Sequence, residues 1–275
     1  MNKRLMFSAA LVMALLSANA QKRAFTIEDL YRVKGVSSVS LSPDGKTVCY
    51  TASSSDLKNQ KSGSDIYIMN ADGSHTKALT EDGKSSSAVW SKDGKSIFFT
   101  NNEKGTAQIF RMDLTTCETE QVTDYELGIG SPVISPDERY IAFTAEVYPD
   151  LGADAKANKA RMEKKEQGPV QAHIADKLLY RHWTSYNDGR CNHLILFDTQ
   201  TKTYKDLTPG NYSLIFVVGG GITYQFSPDS KEICFVSNHD EHQEASTNAD
   251  LWTVSVNGGE PVCITKENKA WDGTP

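Results

Sequence analysis

Six histidines are the side chains that could act as a general base: His75, His173, His182, His193, His239 and His242. In many serine hydrolases such a base activates a serine that lies in a G-x-S-x-G turn. No G-x-S-x-G occurs in the 275 residues, and the nearest match, at residues 35–39, lacks the second glycine. Because a base without a nucleophile has nothing to activate, we predict that these residues alone do not carry out Ser-His-Asp chemistry.

Metal and cofactor motifs are the next possibility. His239 and His242 are separated by an Asp and a Glu, but they follow a strand-like run in a polar loop and do not match H-E-x-x-H on a helix. The Asp-Gly turns lack the D-x-D-x-D-G pattern of a calcium loop, and the glycines at 219–221 lead into strand-like residues rather than a phosphate-binding helix. We expect no cofactor and no bound metal.

A charged segment at about 146–190 holds the candidate binding residues. Its first part, 153–166, is rich in helix formers without a continuous apolar face, and a Gly-Pro pair at 168–169 would end the helix. The candidates are charged or aromatic side chains: Glu163, Glu166, Arg181, His182, Trp183 and Arg190. The simpler alternative is a solvated helix face, a tryptophan that packs the segment onto its neighbours, and a plain turn at 188–190.

Two sequence motifs repeat and predict the fold that carries these residues. A Ser-x-Asp turn followed by an apolar strand occurs at 42–51, 91–100, 135–144 and 227–236. A second motif, an apolar strand, a turn and a short strand that ends in Thr, alternates with the first at 65–80, 108–123, 193–208 and 250–265. Each pair of motifs therefore predicts four consecutive antiparallel strands.

The spacing of the repeats predicts an all-β β-propeller. The four turn serines lie 49, 44 and 92 residues apart, and the long interval contains only one copy of the second motif. The extra residues therefore form a partly helical insert, at about 146–190, within the third unit. Four strands every 44 to 49 residues are typical of a propeller blade.

We assign a helix within 21–34 and four complete blades to about 35–82, 83–126, 127–210 and 218–267. Residues 271–275 fall where a fifth blade would begin. Because an open arc would leave apolar blade faces in water, we expect 35–275 to be the N-terminal part of a propeller with about seven to eight blades. A closed four-bladed propeller is the alternative.

The first 20 residues have the pattern of a secretory signal peptide. Two basic residues, Lys3 and Arg4, precede a 12-residue apolar run that is too short for a membrane span, and small residues precede a cleavage point before Gln21. The 29 basic and 35 acidic residues give a net charge of −6, and loss of the leader would change it to −8. We expect a periplasmic or secreted protein that binds neither nucleic acid nor a membrane.

Two features of the sequence, which together cover three segments, resemble a known family. Residues 25–46 are similar to the start of the propeller in prolyl-oligopeptidase-family serine peptidases, and 176–198 with 246–252 resemble the dipeptidyl-peptidase 5 and acylaminoacyl-peptidase branch, most closely the Bacteroidetes type. The resemblance implies a C-terminal α/β-hydrolase domain after residue 275, which holds the catalytic triad. It also implies release of dipeptides from oligopeptides, with a preference for alanine or hydrophobic penultimate residues.

The resemblance implies a substrate-binding role for the carboxylates of the insert. A peptidase that counts residues from the N-terminus must recognise a protonated amine, and we predict that Glu163 and Glu166 do so. Arg181 or Arg190 would contact a substrate carbonyl or brace the glutamates. The competing hypothesis is a TolB-like periplasmic propeller that binds protein partners and catalyses nothing. The long insert favours the peptidase, and homodimer formation stays open.

Overall fold

The computed structural model describes residues 23–175, 178, 180–214 and 223–275. The leader predicted at 1–20 and the glycines at 219–221 lie outside these residues. Four antiparallel sheets, here called blades 1 to 4, each contain four strands. In blades 1, 2 and 4 the strands pair in chain order, which is the arrangement that hairpin connections produce. The all-β class and the four-stranded antiparallel blades are confirmed.

The strand bounds follow the repeated motifs. Blade 1 contains β1 (Gly35–Leu41), β2 (Thr47–Asp56), β3 (Lys61–Asn70) and β4 (Lys77–Ala78). Blade 2 contains β5 (Ser85–Trp90), β6 (Ser96–Asn101), β7 (Gln108–Asp113) and β8 (Thr119–Gln121). Blade 3 contains β9 (Gly130–Ile134), β10 (Tyr140–Val147), β13 (Cys191–Asp198) and β14 (Thr203–Asp206). Blade 4 contains β15 (Tyr224–Phe226), β16 (Glu232–Ser237), β17 (Asp250–Ser255) and β18 (Val262–Cys263).

The Ser-x-Asp motif is a hydrogen-bonded turn between the first and second strands of each blade. In blade 1, Ser42 Oγ donates to Asp44 Oδ1 at 2.7 Å and accepts from the amide of Thr47 at 2.9 Å. The serine hydroxyl thus closes the turn and aligns the second strand. The same serine-to-aspartate bond occurs at Ser91–Asp93, Ser135–Asp137 and Ser227–Asp229.

The threonine that ends each copy of the second motif links the fourth strand of its blade to the third. In blade 2, Thr123 Oγ1 accepts from the amide of Ile109 at 2.9 Å and donates to Gln108 Oε1 at 2.9 Å. The hydroxyl therefore joins the fourth strand to the start of the third. The equivalent threonine bonds a third-strand amide at Thr80–Ile66, Thr208–Leu194 and Thr265–Leu251.

Apolar residues of the central strands pack in both directions because successive side chains point to opposite faces of a sheet. In β10, Ile141 and Phe143 pack against blade 2, whereas Tyr140 and Ala142 pack against blade 4. A third cluster joins blades 1 and 2 around Ile66, Ile97 and Phe99. The blades are therefore stacked face to face, with a core between each consecutive pair.

Two α-helices accompany the blades within residues 23–175, 178, 180–214 and 223–275. Helix α1 (Ile27–Arg32) precedes blade 1, and α2 (Ala155–Glu166) lies in blade 3 between β10 and β13. A two-stranded hairpin, β11 (Arg181–His182) and β12 (Ser185–Tyr186), follows α2 in the same insert. Within the described part of the chain, no helix is both long and apolar enough to cross a bilayer.

Candidate functional site

A cleft of about 660 Å³ lies where the insert meets blades 2 and 3. Its floor is formed by the link that joins these blades, residues 126–130, and by the end of β10 at Thr144–Glu146. Helix α2 covers one side, and Arg190 and Asn192 complete the wall where the chain re-enters the blade. The cleft therefore brings together residues that are far apart in sequence.

Helix α2 turns a polar face toward the cleft. Lys159, Met162, Glu163 and Glu166 all line it, and their spacing of i, i+3, i+4 and i+7 places them on one side of a helix. Both glutamates remain exposed to solvent. The sequence predicted that this helix lacks a continuous apolar face, and the reason is that one of its sides faces an open cleft rather than a core.

Helix α2 is anchored to the segment that follows β10 in blade 3, residues 148–154, by hydrogen bonds and an ion pair. The fully buried Asn158 accepts from the amide of Tyr148 at 2.7 Å and donates to the carbonyls of Gly152 and Asp154 at 3.0 and 2.8 Å. Arg161 forms two 2.7 Å hydrogen bonds with the carboxylate of Asp150. These contacts orient the face that carries Glu163 and Glu166.

Arg190 joins the two sides of the cleft. Its Nη1 lies 3.1 Å from Glu146 Oε2 on β10 and 3.8 Å from the sulfur of Met162 on α2, and its Nε donates to Asp188 at 3.0 Å. Burial lowers the pKa of Arg190, but the hydrogen bond with Asp188 and the nearby charges outweigh it and raise the pKa above its ordinary value. The side chain is therefore a fixed cationic brace.

The charges of the cleft are only partly balanced. Lys159 Nζ lies 3.6 Å from Glu126 Oε2, and Arg190 pairs with Glu146, so both cations that line the cleft have an acidic partner. Glu163 and Glu166 have no ion pair among the described residues. The cleft consequently presents uncompensated carboxylates, which favour a cationic ligand.

A family model for the TolB beta propeller domain matches residues 19–167, which is more than half of the chain. The chain belongs to the TolB beta propeller domain family. A second model, for the dipeptidyl peptidase IV (DPP IV) N-terminal region, matches residues 153–274 of this TolB-family chain. The second match includes α2, Arg190 and all of blade 4.

Relatives of the TolB-family chain include two bacterial peptidases. It is 28% identical over 247 residues to dipeptidyl-peptidase 5 of Porphyromonas gingivalis. The aligned region covers 87% of this chain and 35% of that protein. Dipeptidyl-peptidase 5 of Porphyromonas endodontalis is 25% identical over 263 residues, which is 93% of this chain and 37% of that protein. The chain thus spans about a third of the length of these relatives.

Solved structures agree on the fold. Acylaminoacyl peptidase of Pyrococcus horikoshii superposes with a TM-score of 0.60 at 17% identity, covering 86% of this chain and 33% of that one. At this identity the likeness shows the fold alone. Together with the relatives, it confirms the predicted resemblance to the propeller part of prolyl-oligopeptidase-family peptidases.

The six predicted site residues of this TolB-family chain fall into two groups. Glu163, Glu166 and Arg190 meet at the cleft. Arg181, His182 and Trp183 lie on or beside the β11–β12 hairpin, and neither Arg181 nor Trp183 is among the described residues that line the cleft. Trp183 is 85% exposed at the hairpin turn, with a positive φ of 49°. The structure therefore unites the carboxylates with one arginine and separates them from the aromatic hairpin.

Four charged or amide side chains that line the cleft were not predicted as site residues: Glu126, Glu146, Lys159 and Asn192. Glu126 belongs to the link between two blades, and Glu146 and Asn192 belong to the strands that flank the insert. The repeat pattern could have indicated these positions. In a propeller, the link from the preceding blade and the strand ends that flank an insert lie at the same end of the sheets. Polar residues at these positions were therefore candidates.

Two histidines that were considered as bases have other roles. His193 is fully buried, with Nδ1 2.8 Å from Asp206 Oδ2 and Nε2 2.9 Å from the carbonyl oxygen of Gly210. His239 stacks between two aromatic rings, those of Tyr212 and Trp252. The cleft itself offers carboxylates and a braced arginine, which suit binding of a positively charged group rather than bond cleavage.

Proposed function

We propose that this chain is the substrate-gating propeller of a secreted serine dipeptidyl peptidase, and that it recognises the free N-terminus of oligopeptide substrates. The observation that carries the proposal is the pair of uncompensated carboxylates, Glu163 and Glu166, on the cleft face of α2. The similarity to two dipeptidyl-peptidase 5 proteins supports peptide hydrolysis as the activity of the whole protein.

Recognition of an amine follows from the electrostatics of the cleft. A protonated N-terminus carries one positive charge and three donors, and carboxylates are its strongest acceptors. Lys159 and Arg190 are engaged by Glu126 and Glu146, so they leave Glu163 and Glu166 available. Because both glutamates are exposed, each contact would contribute about 0.7 kcal/mol, and two together would favour a free over a blocked N-terminus by about tenfold.

The hydrolytic step is assigned to an α/β-hydrolase domain that pairs with the propeller. That domain would supply the nucleophile, base and oxyanion hole, while the propeller would admit short peptides and exclude folded proteins. Release of dipeptides, a preference for alanine or hydrophobic penultimate residues, and export by residues 1–20 to the periplasm or medium belong to the same proposal.

The amine recognition can be tested on the chain itself. Calorimetric titration compares Ala-Ala-Phe amide with its N-acetyl form, and we expect the free amine to bind about tenfold more tightly. A Glu163→Gln/Glu166→Gln variant should lose this difference. The matched control, Glu81→Gln/Glu103→Gln, removes two exposed glutamates elsewhere and should keep it. Equal affinity for the two peptides in the unmodified chain would contradict the proposal.

The peptidase assignment is tested on the protein extended to its natural stop codon. Dipeptidyl chromogenic substrates should be cleaved, and a serine-directed inhibitor should abolish the cleavage. A folded but inactive protein would favour the alternative, a non-catalytic propeller that binds protein partners. The match to the TolB beta propeller domain over 19–167 is the observation that favours this alternative.

A further inference from the structure

A second cavity, of about 150 Å³, lies between blades 3 and 4 and is separate from the cleft under α2. Pro209 and Tyr212, from the link after blade 3, form one side, and Trp252 of β17 with Pro261 forms another. His239, just after β16, lies between the aromatic rings, and Glu260 is also part of the lining. The volume suits one amino-acid side chain rather than a peptide segment.

The three rings form an ordered stack. The ring centroids of Tyr212 and His239 are 3.8 Å apart with an interplanar angle of 11°, and those of His239 and Trp252 are 4.0 Å apart at 31°. Trp252 Nε1 donates to the carbonyl of Ser237 at 3.2 Å, which fixes the orientation of the indole. The cavity is therefore walled by aromatic surface that is positioned before any ligand arrives.

The charge of the cavity is negative. Among the described residues that line it there is no lysine or arginine and one acidic residue, Glu260, which has no ion pair within the same described set. Burial lowers the pKa of His239 below its ordinary value, against the opposing effect of the Asp250 carboxylate. At neutral pH the imidazole is therefore uncharged, and Glu260 with the ring faces sets the electrostatic preference.

We propose that this cavity binds the side chain of an arginine residue presented by a peptide. The aliphatic stem would pack on Pro209 and Pro261, while the guanidinium would meet an outer face of the ring stack and the Glu260 carboxylate. A planar guanidinium stacks on aromatic rings better than a compact ammonium, which favours arginine over lysine. An uncharged side chain would leave the carboxylate unpaired. This site does not depend on the function proposed for the cleft.

The test titrates N-acetyl-arginine amide into the chain and follows the indole N–H resonance of Trp252, assigned with a Trp252→Phe variant. We expect saturable shifts of this resonance and an affinity about tenfold higher than for N-acetyl-leucine amide. Glu260→Gln should weaken arginine binding about fivefold to tenfold. The control Glu267→Gln, also exposed and on the same blade, should leave it unchanged.

A second control separates this cavity from the acidic cleft. In the Glu163→Gln/Glu166→Gln variant the affinity for N-acetyl-arginine amide should be retained, since the proposed contacts lie elsewhere. Equal affinities for the arginine and leucine probes, an unaltered affinity in Glu260→Gln, or a Trp252 resonance that does not respond would each overturn the proposal.

Discussion

His193, which is fully buried, and Asp206, which is largely buried, form an ion pair across the outer strands of blade 3, with Nδ1 and Oδ2 2.8 Å apart. The second ring nitrogen faces a carbonyl oxygen, that of Gly210, at 2.9 Å. Since a carboxylate and a carbonyl can only accept, both ring nitrogens must carry a proton, and the buried imidazole is a cation. This requirement makes blade 3 sensitive to pH.

We predict that the chain loses stability in mildly alkaline solution. Burial lowers the pKa of His193, but the hydrogen bonds with Asp206, Cys191 and the Gly210 carbonyl and the charge of Asp206 together outweigh it, so folding raises this pKa to about 9. An ordinary histidine pKa is about 6.5, so the contribution is complete below that pH and disappears as the pH rises through 9. The loss amounts to about 3 kcal/mol and is measurable by urea unfolding between pH 6 and 10.

The control for this prediction is Asp206→Asn, which removes the charge that keeps the imidazole protonated. Its stability should be lower at pH 6 and nearly independent of pH between 6.5 and 9. Asp229→Asn, on an exposed turn in blade 4, should retain the alkaline loss of the unmodified chain. An unmodified chain that is equally stable at pH 6 and pH 9 would contradict the argument.

Asn158→Ala should release α2 from blade 3. The change leaves the buried amide of Tyr148 and the carbonyl of Gly152 without this partner, at a cost of about 1 to 3 kcal/mol for the unpaired donor alone, while the carbonyl of Asp154 keeps the backbone amide of residue 158. Hydrogen exchange of the α2 amides should accelerate markedly while blade 1 is unaffected. Lys156→Ala, an exposed site on the same helix, is the matched control and should leave exchange unchanged.

Arg190→Ala should weaken peptide binding even though the guanidinium is already engaged by other residues. Without the brace, Glu146 loses its cation and α2 loses a contact through Met162, so the cleft carboxylates become less ordered. We expect a threefold to tenfold lower affinity for Ala-Ala-Phe amide. Arg190→Lys should recover part of the affinity; if Arg190→Ala binds as the unmodified chain does, the bracing role is wrong.

Thr123→Val tests the threonine hydroxyl that joins the third and fourth strands of a blade. The substitution keeps the shape but removes the hydroxyl that bonds Ile109 and Gln108 in the core, which should cost about 1 to 3 kcal/mol of unfolding free energy. Thr116→Val, on an exposed turn of the same blade, should change stability by less than about 0.5 kcal/mol. Similar denaturation midpoints for the two variants would contradict the stabilising role of the Thr123 hydroxyl.

The repeat was predictable because its parts are local. The bond from Ser42 to Asp44 spans two residues, and the apolar run that begins at Val48 needs only its own pattern to favour a buried strand. The helix at 155–166 likewise follows from the helix propensity of consecutive residues. The sequence by itself therefore determined the four-stranded units, their number in this chain and the position of the insert.

The tertiary structure alone decided which side chains meet. Glu126 and Lys159 are 33 positions apart yet lie 3.6 Å apart, because blades 2 and 3 stack and α2 folds back over their junction. Sequence patterns predict local conformation, but the distance between such residues depends on packing between elements. For the same reason Glu163, Glu166 and Arg190 share a cleft while Arg181 and Trp183 do not.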